Sequence, residues 1–138
     1  MSIFGLNGLL MQVGEGIVRP IGQTSARWQV LGRAFEPRTV SQMARDMGHA
    51  RQGVQRVADV LVKEGLIAYK PHPTDQRTKL LELTPQGMKV LTAIHARQLA
   101  WSEQVTTSLN QEQLAGVVEA LENIAHMLDT QVSKQSRR

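Results

Sequence analysis

Residues 39–87 read TVSQMARDMGHARQGVQRVADVLVKEGLIAYKPHPTDQRTKLLELTPQG and contain, in order, two helical patterns, two strand patterns and a new helix start. Thr39 or Ser41 can cap the first helix, and Gly48 can end it in a left-handed conformation. The second helical pattern covers 51–64. This order predicts a mainly α-helical fold with a small β-hairpin wing, that is, a winged helix-turn-helix.

The second helical pattern has two chemically different faces. Its apolar residues recur at i, i+3, i+4 and i+7, the spacing of one helix face, and are Val54, Val57, Ala58 and Leu61. The opposite side is polar and carries Gln52, Arg56, Asp59 and Lys63, with Gln55 on its flank. Arginine can pair with guanine and glutamine with adenine in a major groove. Taken alone, this face is more typical of an ordinary solvated helix than of a DNA-reading one. Asp59 is expected to be structural because a carboxylate near phosphates is unfavourable.

The hairpin pattern places a stiff basic loop between two strands. Strands are predicted at 66–70 and 80–83, and the loop 71–79 reads PHPTDQRTK, with two prolines that disfavour helix. Thr84 is predicted to cap the next helix, with Pro85 in its first turn. A stiff basic hairpin beside a polar-faced helix could straddle a groove and the flanking backbone of DNA.

Helical patterns also flank this region. A glycine-rich pattern begins at Leu6, another helix is expected from the cap Thr24 to Phe35, and a long pattern runs over 85–109. Asn110 is predicted to be the N-cap of the last helix. This helix repeats apolar residues in alternating steps of four and three: Leu114, Val118, Leu121, Ala125, Leu128 and Val132. This apolar surface favours a dimer interface; the alternative is packing on the winged helix of the same chain. Residues 133–138 are predicted to be a frayed tail.

Charge is concentrated in the middle of the chain. The net charge is +4, but 19–79 contain 11 basic and 5 acidic residues, which favours a polyanionic partner. There is no cysteine, so thiolate chemistry is excluded. The N-terminal pattern resembles neither a signal peptide nor a membrane span, and we expect a cytoplasmic protein with no membrane partner.

Three segments resemble the MarR family of transcriptional regulators. They are GQTSARWQVLGRA at 22–34, RQGVQRVADVLVKEGLI at 51–67, and the aspartate-x-arginine of Asp75 and Arg77 followed by LTPQG at 83–87. The resemblance covers nearly the whole chain. It implies a single domain over 1–138, with dimerisation helices at 1–22 and 86–138 and a winged-helix lobe at 23–85.

The resemblance also implies a function: a homodimer that binds a pseudo-palindromic operator in double-stranded DNA, most simply as a repressor. The residues it assigns to DNA are Ser41, Arg51, Gln52, Gln55, Arg56, Lys70, His72, Arg77 and Lys79. Asp75 is expected to structure the wing. The sequence departs from the family pattern at two places. His49 and Ala50 weaken the cap of the recognition helix, and Ala68 and Tyr69 stand where arginine is common.

Relatives of this kind often release DNA on binding a small anionic or phenolic effector, for which Met11, Trp28 and His95 are the candidate pocket residues. No cofactor is implied, and the spacing of the four histidines does not predict a metal site. No nucleophile motif, carboxylate pair or phosphate-binding glycine loop predicts an enzyme. The competing hypothesis is a winged helix that binds only another protein.

Overall fold

The computed structural model describes residues 2–135, most of which are helical. The elements are α1 (Ile3–Val18), a 3-10 turn (Arg19–Ile21), α2 (Ser25–Arg33), α3 (Val40–Met47), α4 (Arg51–Lys63), β1 (Ile67–Pro71), β2 (Lys79–Leu83), α5 (Pro85–Thr106) and α6 (Gln111–Gln135). The predicted mainly α-helical fold with a two-stranded antiparallel wing is confirmed. Because α6 continues to Gln135, the predicted frayed tail is helical at its start, and its end, 136–138, lies outside the described residues.

The chain divides into two compact units, Met1–Leu99 and Ala100–Arg138. In the first unit, α2 packs on α1, α3 and α4, and α4 also packs on α3 and β1. The largest fully buried side chains of this core are Leu31, Met43, Leu61, Ile67, Leu81, Ile94, Val18, Val30 and Val54. The apolar face predicted for α4 faces this core: Val54, Ala58 and Leu61 are buried and Val57 is half-buried.

The start of α3 resolves the choice between two predicted caps in favour of Thr39. The Thr39 hydroxyl accepts a hydrogen bond from the Gln42 backbone N–H at 3.1 Å, and the Gln42 side chain accepts one from the Thr39 N–H at 2.8 Å. This reciprocal pair satisfies two backbone donors at the helix start. Gly48 ends α3 with φ 62°, the left-handed conformation that was predicted.

The wing begins one residue later than predicted, because Leu66 belongs to the capping turn that follows α4. Its N–H donates to the Leu61 carbonyl at 2.9 Å, and Gly65, at φ 73°, donates to Val62 at 3.0 Å. These two bonds close the helix in the Schellman pattern. The strands then pair antiparallel from Ile67 opposite Leu83 to Pro71 opposite Lys79.

The wing is joined to the segment before α3 by a bridge that the sequence pattern did not predict. Arg38 donates its N–H to the Leu81 carbonyl at 3.2 Å, and Leu81 donates to the Arg38 carbonyl at 2.7 Å. The Arg38 side chain also pairs with Asp46 of α3 at 2.7 Å. This bridge ties the wing to the start of the helix-turn-helix.

The start of α5 explains the spacing of the LTPQG motif. The Thr84 hydroxyl donates to the Gly65 carbonyl at 2.6 Å and accepts from the Gly87 N–H at 3.0 Å, so it joins the end of α4 to the start of α5. Gly87 is buried, and a Cβ at this position would overlap the carbonyl oxygen of Leu66. The motif therefore requires both a hydroxyl and a residue without a side chain.

Apolar surface is exposed on α1 and, separately, on α6. Helix α1 begins at Ile3, capped by the Ser2 side chain, which is earlier than the predicted start at Leu6. Its exposed apolar residues are Ile3, Phe4, Leu6, Leu9, Leu10 and Met11. Those of α6 are Val117, Val118, Leu121, Ile124, Met127, Leu128 and Val132. In the part of the chain that the structure describes, no helix is both long and apolar enough to cross a bilayer.

Candidate nucleic-acid interface

A cleft of about 450 Å³ lies where α3, α4 and the wing meet. Helix α3 contributes its first turn, α4 its first two turns, and the wing both strands and the loop. The lining residues are Thr39, Val40, Ser41, Arg51, Gln55, Tyr69, Arg77, Thr78 and Lys79. The fold thus brings together Ser41, Arg51, Gln55, Arg77 and Lys79, which the sequence analysis assigned to DNA from three separate segments.

Two further depressions hold the other residues assigned to DNA. One, of about 570 Å³, lies over the start of α4 and is lined by Arg51, Gln52, Gln55 and Arg56. The other, of about 370 Å³, lies on the wing and includes Lys70, His72 and Lys79. Arg51 and Gln55 line both the cleft and the α4 depression, and Lys79 lines both the cleft and the wing depression.

The cations on this surface differ in whether a carboxylate neutralises them. Within residues 2–135, Arg51, Arg56, Arg77 and Lys79 form no ion pair, whereas Lys70 lies 3.2 Å from Glu82. Away from the cleft, Arg27 pairs with Glu64, and Arg38 pairs with Glu36 and Asp46. Four positive charges at and beside the cleft are therefore available to an external anion, whereas those of Arg27 and Arg38 are compensated.

Asp75 holds the turn of the wing. Its carboxylate accepts hydrogen bonds from the Thr78 hydroxyl at 2.6 Å and from the Arg77 backbone N–H at 2.9 Å. These bonds, the one from Thr78 foremost, lower the pKa of Asp75. Across the turn, the His72 ring nitrogen accepts from the Asp75 N–H at 3.2 Å. The carboxylate contacts the backbone of Arg77, and the Arg77 side chain stays exposed.

Tyr69 joins the wing to α4, a role that the sequence analysis missed. Its hydroxyl donates to the Asp59 carboxylate at 2.7 Å and accepts from the Gln55 amide at 2.6 Å, and the same amide donates to Asp59 at 2.8 Å. Lys79 lies 5.4 Å from the centre of the Tyr69 ring, within cation–π range. Burial, and then the bond to Asp59, raise the pKa of Tyr69, so the hydroxyl keeps its proton at neutral pH.

A sequence signal for this role was present but was interpreted differently. Gln55 and Asp59 are four residues apart on one helix, a spacing that allows their side chains to bond. The sequence pattern shows Tyr69 only as a departure from the arginine common in the family. Its contact with Gln55 depends on how the wing packs on α4, which the local sequence does not indicate. The expectation that Asp59 is structural agrees with these bonds.

Helix α4 begins without a side-chain cap, as its sequence predicted. Ala50 is the N-cap and makes no side-chain hydrogen bond. The first N–H groups of a helix have no partner within the helix and favour an anion at this end. These groups lie at Arg51 and Gln52, beside the basic depression on α4.

The predicted effector-pocket residues all lie in the first unit. Met11 and His95 are exposed, and Trp28 is half-buried. The Trp28 ring lies close to Gly14 of α1. A Cβ added at Gly14 would be 4.0 Å from the ring. An effector site among them stays a prediction. Among residues 2–135, no three histidine or acidic side chains are grouped as a metal site would require.

Comparison with known proteins agrees with this geometry. The model of the MarR family matches residues 26–78. An uncharacterized Mycobacterium tuberculosis protein, Rv2011c, is 37% identical over 121 residues, which cover 87% of this chain and 85% of that protein. The HTH-type transcriptional regulator TcaR of Staphylococcus aureus is 31% identical over 97 residues, covering 69% of this chain and 64% of TcaR.

Solved structures share the whole fold. The structure of Staphylococcus aureus MarR in complex with salicylate and kanamycin superposes with a TM-score of 0.82 at 17% identity, covering 94% of this chain and 89% of that one. Fold and cleft together define a winged-helix, DNA-binding transcription regulator. The chain belongs to the MarR family. Regulators of this family are transcription factors and not enzymes, which confirms that prediction.

Proposed function

We propose that the chain is a homodimeric, sequence-specific repressor that binds a pseudo-palindromic operator and releases it when a small ligand binds. The observation that carries the proposal is the cleft between α3, α4 and the wing, which is lined by cations without carboxylate partners among the described residues. Unpaired arginines and lysines on one face are what a DNA backbone requires. Because its target is DNA, we place the protein in the cytoplasm.

In this proposal, the first half of α4 enters a major groove. Arg51, Gln52, Gln55 and Arg56 are exposed or half-buried around one depression, so they can reach base edges and adjacent phosphates. The uncapped N–H groups at the start of α4 and the first turn of α3 at Ser41 supply further phosphate contacts.

The wing contacts the flanking backbone or minor groove. Arg77 is exposed on a loop that Asp75 holds, and Lys79 lies at the mouth of the cleft. Lys70 and His72 lie on the far side of the wing, where Lys70 already pairs with Glu82, so they make the weaker contacts. Asp75 acts by holding the turn and does not touch DNA.

Dimerisation is supported by the apolar faces of α1 and α6. On α6, apolar residues occupy one side of the helix for its whole length, and more than half of Leu121 and of Leu128 is exposed. Apolar faces of this extent on a single chain mark interaction sites. A two-fold dimer would place two copies of α4 in successive major grooves, about 34–36 Å apart, which gives a pseudo-palindromic operator.

Release by a small anionic or phenolic ligand is supported by the resemblance to Staphylococcus aureus MarR, whose solved structure is a complex with salicylate and kanamycin. Salicylate is therefore the first probe, and Trp28 is the reporter. Saturable quenching of tryptophan fluorescence that is lost in Trp28→Phe and retained in Trp101→Phe supports a site at Trp28. DNA affinity that does not change with saturating salicylate would contradict release by this class of ligand.

The central experiment is selection of bound duplexes from a random pool at stated salt, followed by a salt titration of the selected site. The logarithm of the binding constant should fall linearly with the logarithm of salt, with a slope of about −0.9 per phosphate neutralised. Absence of duplex binding at low salt would overturn the proposal and favour the protein-interaction alternative. Repression is tested separately: the selected site, placed over a promoter, should lower transcription in vitro when the protein is added.

A further inference from the structure

Three side chains at the edge of α4 and β1, two of which line the cleft, form a closed hydrogen-bonded triangle. The Gln55 amide nitrogen, the Tyr69 hydroxyl and the Asp59 carboxylate oxygen are 2.6–2.8 Å from one another. Gln55 lines both the cleft and the depression on α4. We infer that Tyr69 and Asp59 are positioning residues that hold the Gln55 amide in one orientation and so determine which bases it accepts.

The orientation follows from donors and acceptors. An ionised carboxylate only accepts, so both groups facing Asp59 must donate to it. Tyr69 has a single hydroxyl proton, which it gives to Asp59, so its oxygen can only accept from Gln55. The group that Gln55 turns towards this pair must therefore be its NH₂. A flipped amide would place its carbonyl oxygen against the carboxylate and the hydroxyl lone pairs.

Two features keep the triangle in place. A tyrosine hydroxyl is protonated at neutral pH, and burial raises the pKa of Tyr69 further, so the donor to Asp59 is present. The members come from both sides of the cleft, since Gln55 and Asp59 are on α4 and Tyr69 is on β1. Because the amide is already held in one orientation, DNA binding does not have to include the entropic cost of ordering a free glutamine side chain.

What remains for a base is the carbonyl side of Gln55. Its oxygen accepts no hydrogen bond from any residue among 2–135. In the major groove, adenine and cytosine present an amino donor, whereas guanine and thymine present acceptors. A held carbonyl therefore selects adenine or cytosine at one position of each half-site and rejects guanine and thymine. This inference rests on the proposed function and adds a rule for base choice.

The experiment compares complete base-preference profiles of the parent, Gln55→Ala and Tyr69→Phe, measured by competition among single-base variants of the selected operator at fixed salt. Gln55→Ala identifies the base pair, where the parent should prefer adenine or cytosine by about 5- to 150-fold, since guanine or thymine would leave the held carbonyl unpaired against another acceptor. Tyr69→Phe keeps the ring that Lys79 faces but removes the hydroxyl. It should reduce the preference at that same base pair to a few-fold, because only the exposed bond to Asp59 then holds the amide, which can leave it and turn to donate to guanine or thymine.

Arg77→Ala is the matched control, since it removes a charge from the same cleft and its side chain bonds to no member of the triangle. It should weaken all operator variants by a similar factor and leave the preference at the Gln55 position unchanged. A Tyr69→Phe profile that matches the parent, or that changes only by a uniform loss of affinity, overturns the inference. So does a parent that prefers guanine or thymine at the position that Gln55→Ala identifies. If the parent binds no duplex, the proposed function itself fails.

Discussion

Arg56 and Arg77 are both exposed and unpaired among the described residues, but they stand on different elements. Arg56 is on the polar face of α4, and we expect Arg56→Ala to cost about 1–3 kcal/mol of binding free energy and to relax the preference at one base position. Arg77 is on the wing loop, and Arg77→Ala should weaken all sequences alike. Binding isotherms on the selected operator and on unrelated duplexes separate the two effects. Affinities equal to the parent for both variants would contradict these roles.

At the end of α4, Glu64 pairs with Arg27 of α2, and the hydrogen bond from Arg27 lowers the pKa of Glu64. A carboxylate with a lowered folded-state pKa stabilises the fold above its ordinary pKa, and this stability is lost as the pH falls towards the folded-state pKa. The Glu64 side chain is 44% exposed, so the pair contributes no more than about 1 kcal/mol.

Glu64→Gln should therefore lower the urea midpoint at neutral pH, and the difference from the parent should shrink near pH 3, where the unfolded carboxyl is already protonated. Glu119→Gln, an exposed change on α6, serves as the control and should leave the midpoint unchanged at both pH values. A difference between Glu64→Gln and the parent that is the same at neutral and acid pH would show that the ion pair is not its cause.

Among the elements, the junction of α4, the wing and α5 tolerates the least change. Gly87→Ala should lower the free energy of unfolding by at least about 1–3 kcal/mol, because its Cβ would overlap the Leu66 carbonyl, a backbone group that cannot rotate away. Gly32→Ala in α2 is the matched control. It has open space around the new Cβ and should stabilise the protein by up to about 1 kcal/mol. Urea unfolding of both variants tests this contrast, and equal changes of the same sign would contradict it.

The elements themselves could be predicted because their signals are local. Periodicity placed the core face of α4 at Val54, Ala58 and Leu61, and turn chemistry placed Gly48 at the end of α3. The family resemblance selected the residues that meet at the cleft. The Arg38–Leu81 bridge and the bond between Tyr69 and Gln55 depend on how distant segments pack, and no local pattern encodes that packing. For the same reason the first strand was predicted to begin one residue early. The backbone hydrogen bond that ties Leu66 to the end of α4 cannot be recognised from the hydropathy pattern.

For the whole molecule, the property to test is the proposed association through the exposed apolar faces. Leu121 lies within the apolar side of α6, and Leu121→Glu should convert the proposed dimer to a monomer, because a charge in an apolar interface loses its hydration. Asn123→Glu adds the same charge on the opposite side of the same helix and should leave the assembly unchanged. Sedimentation velocity measures both. The monomeric variant should also lose most of its operator affinity, since each half-site would bind alone.

The bridge between Arg38 and Leu81 bears on how a signal could reach the DNA. It couples the wing to the start of α3, while Tyr69 couples the same wing to α4, so the three DNA-facing elements are cross-linked by hydrogen bonds on two sides. We therefore expect a lobe braced in this way to move as a rigid body. In the proposed dimer, an effector that releases DNA would then act by changing the distance and tilt between the two lobes. The shape of each DNA-reading surface would be the same with and without the effector.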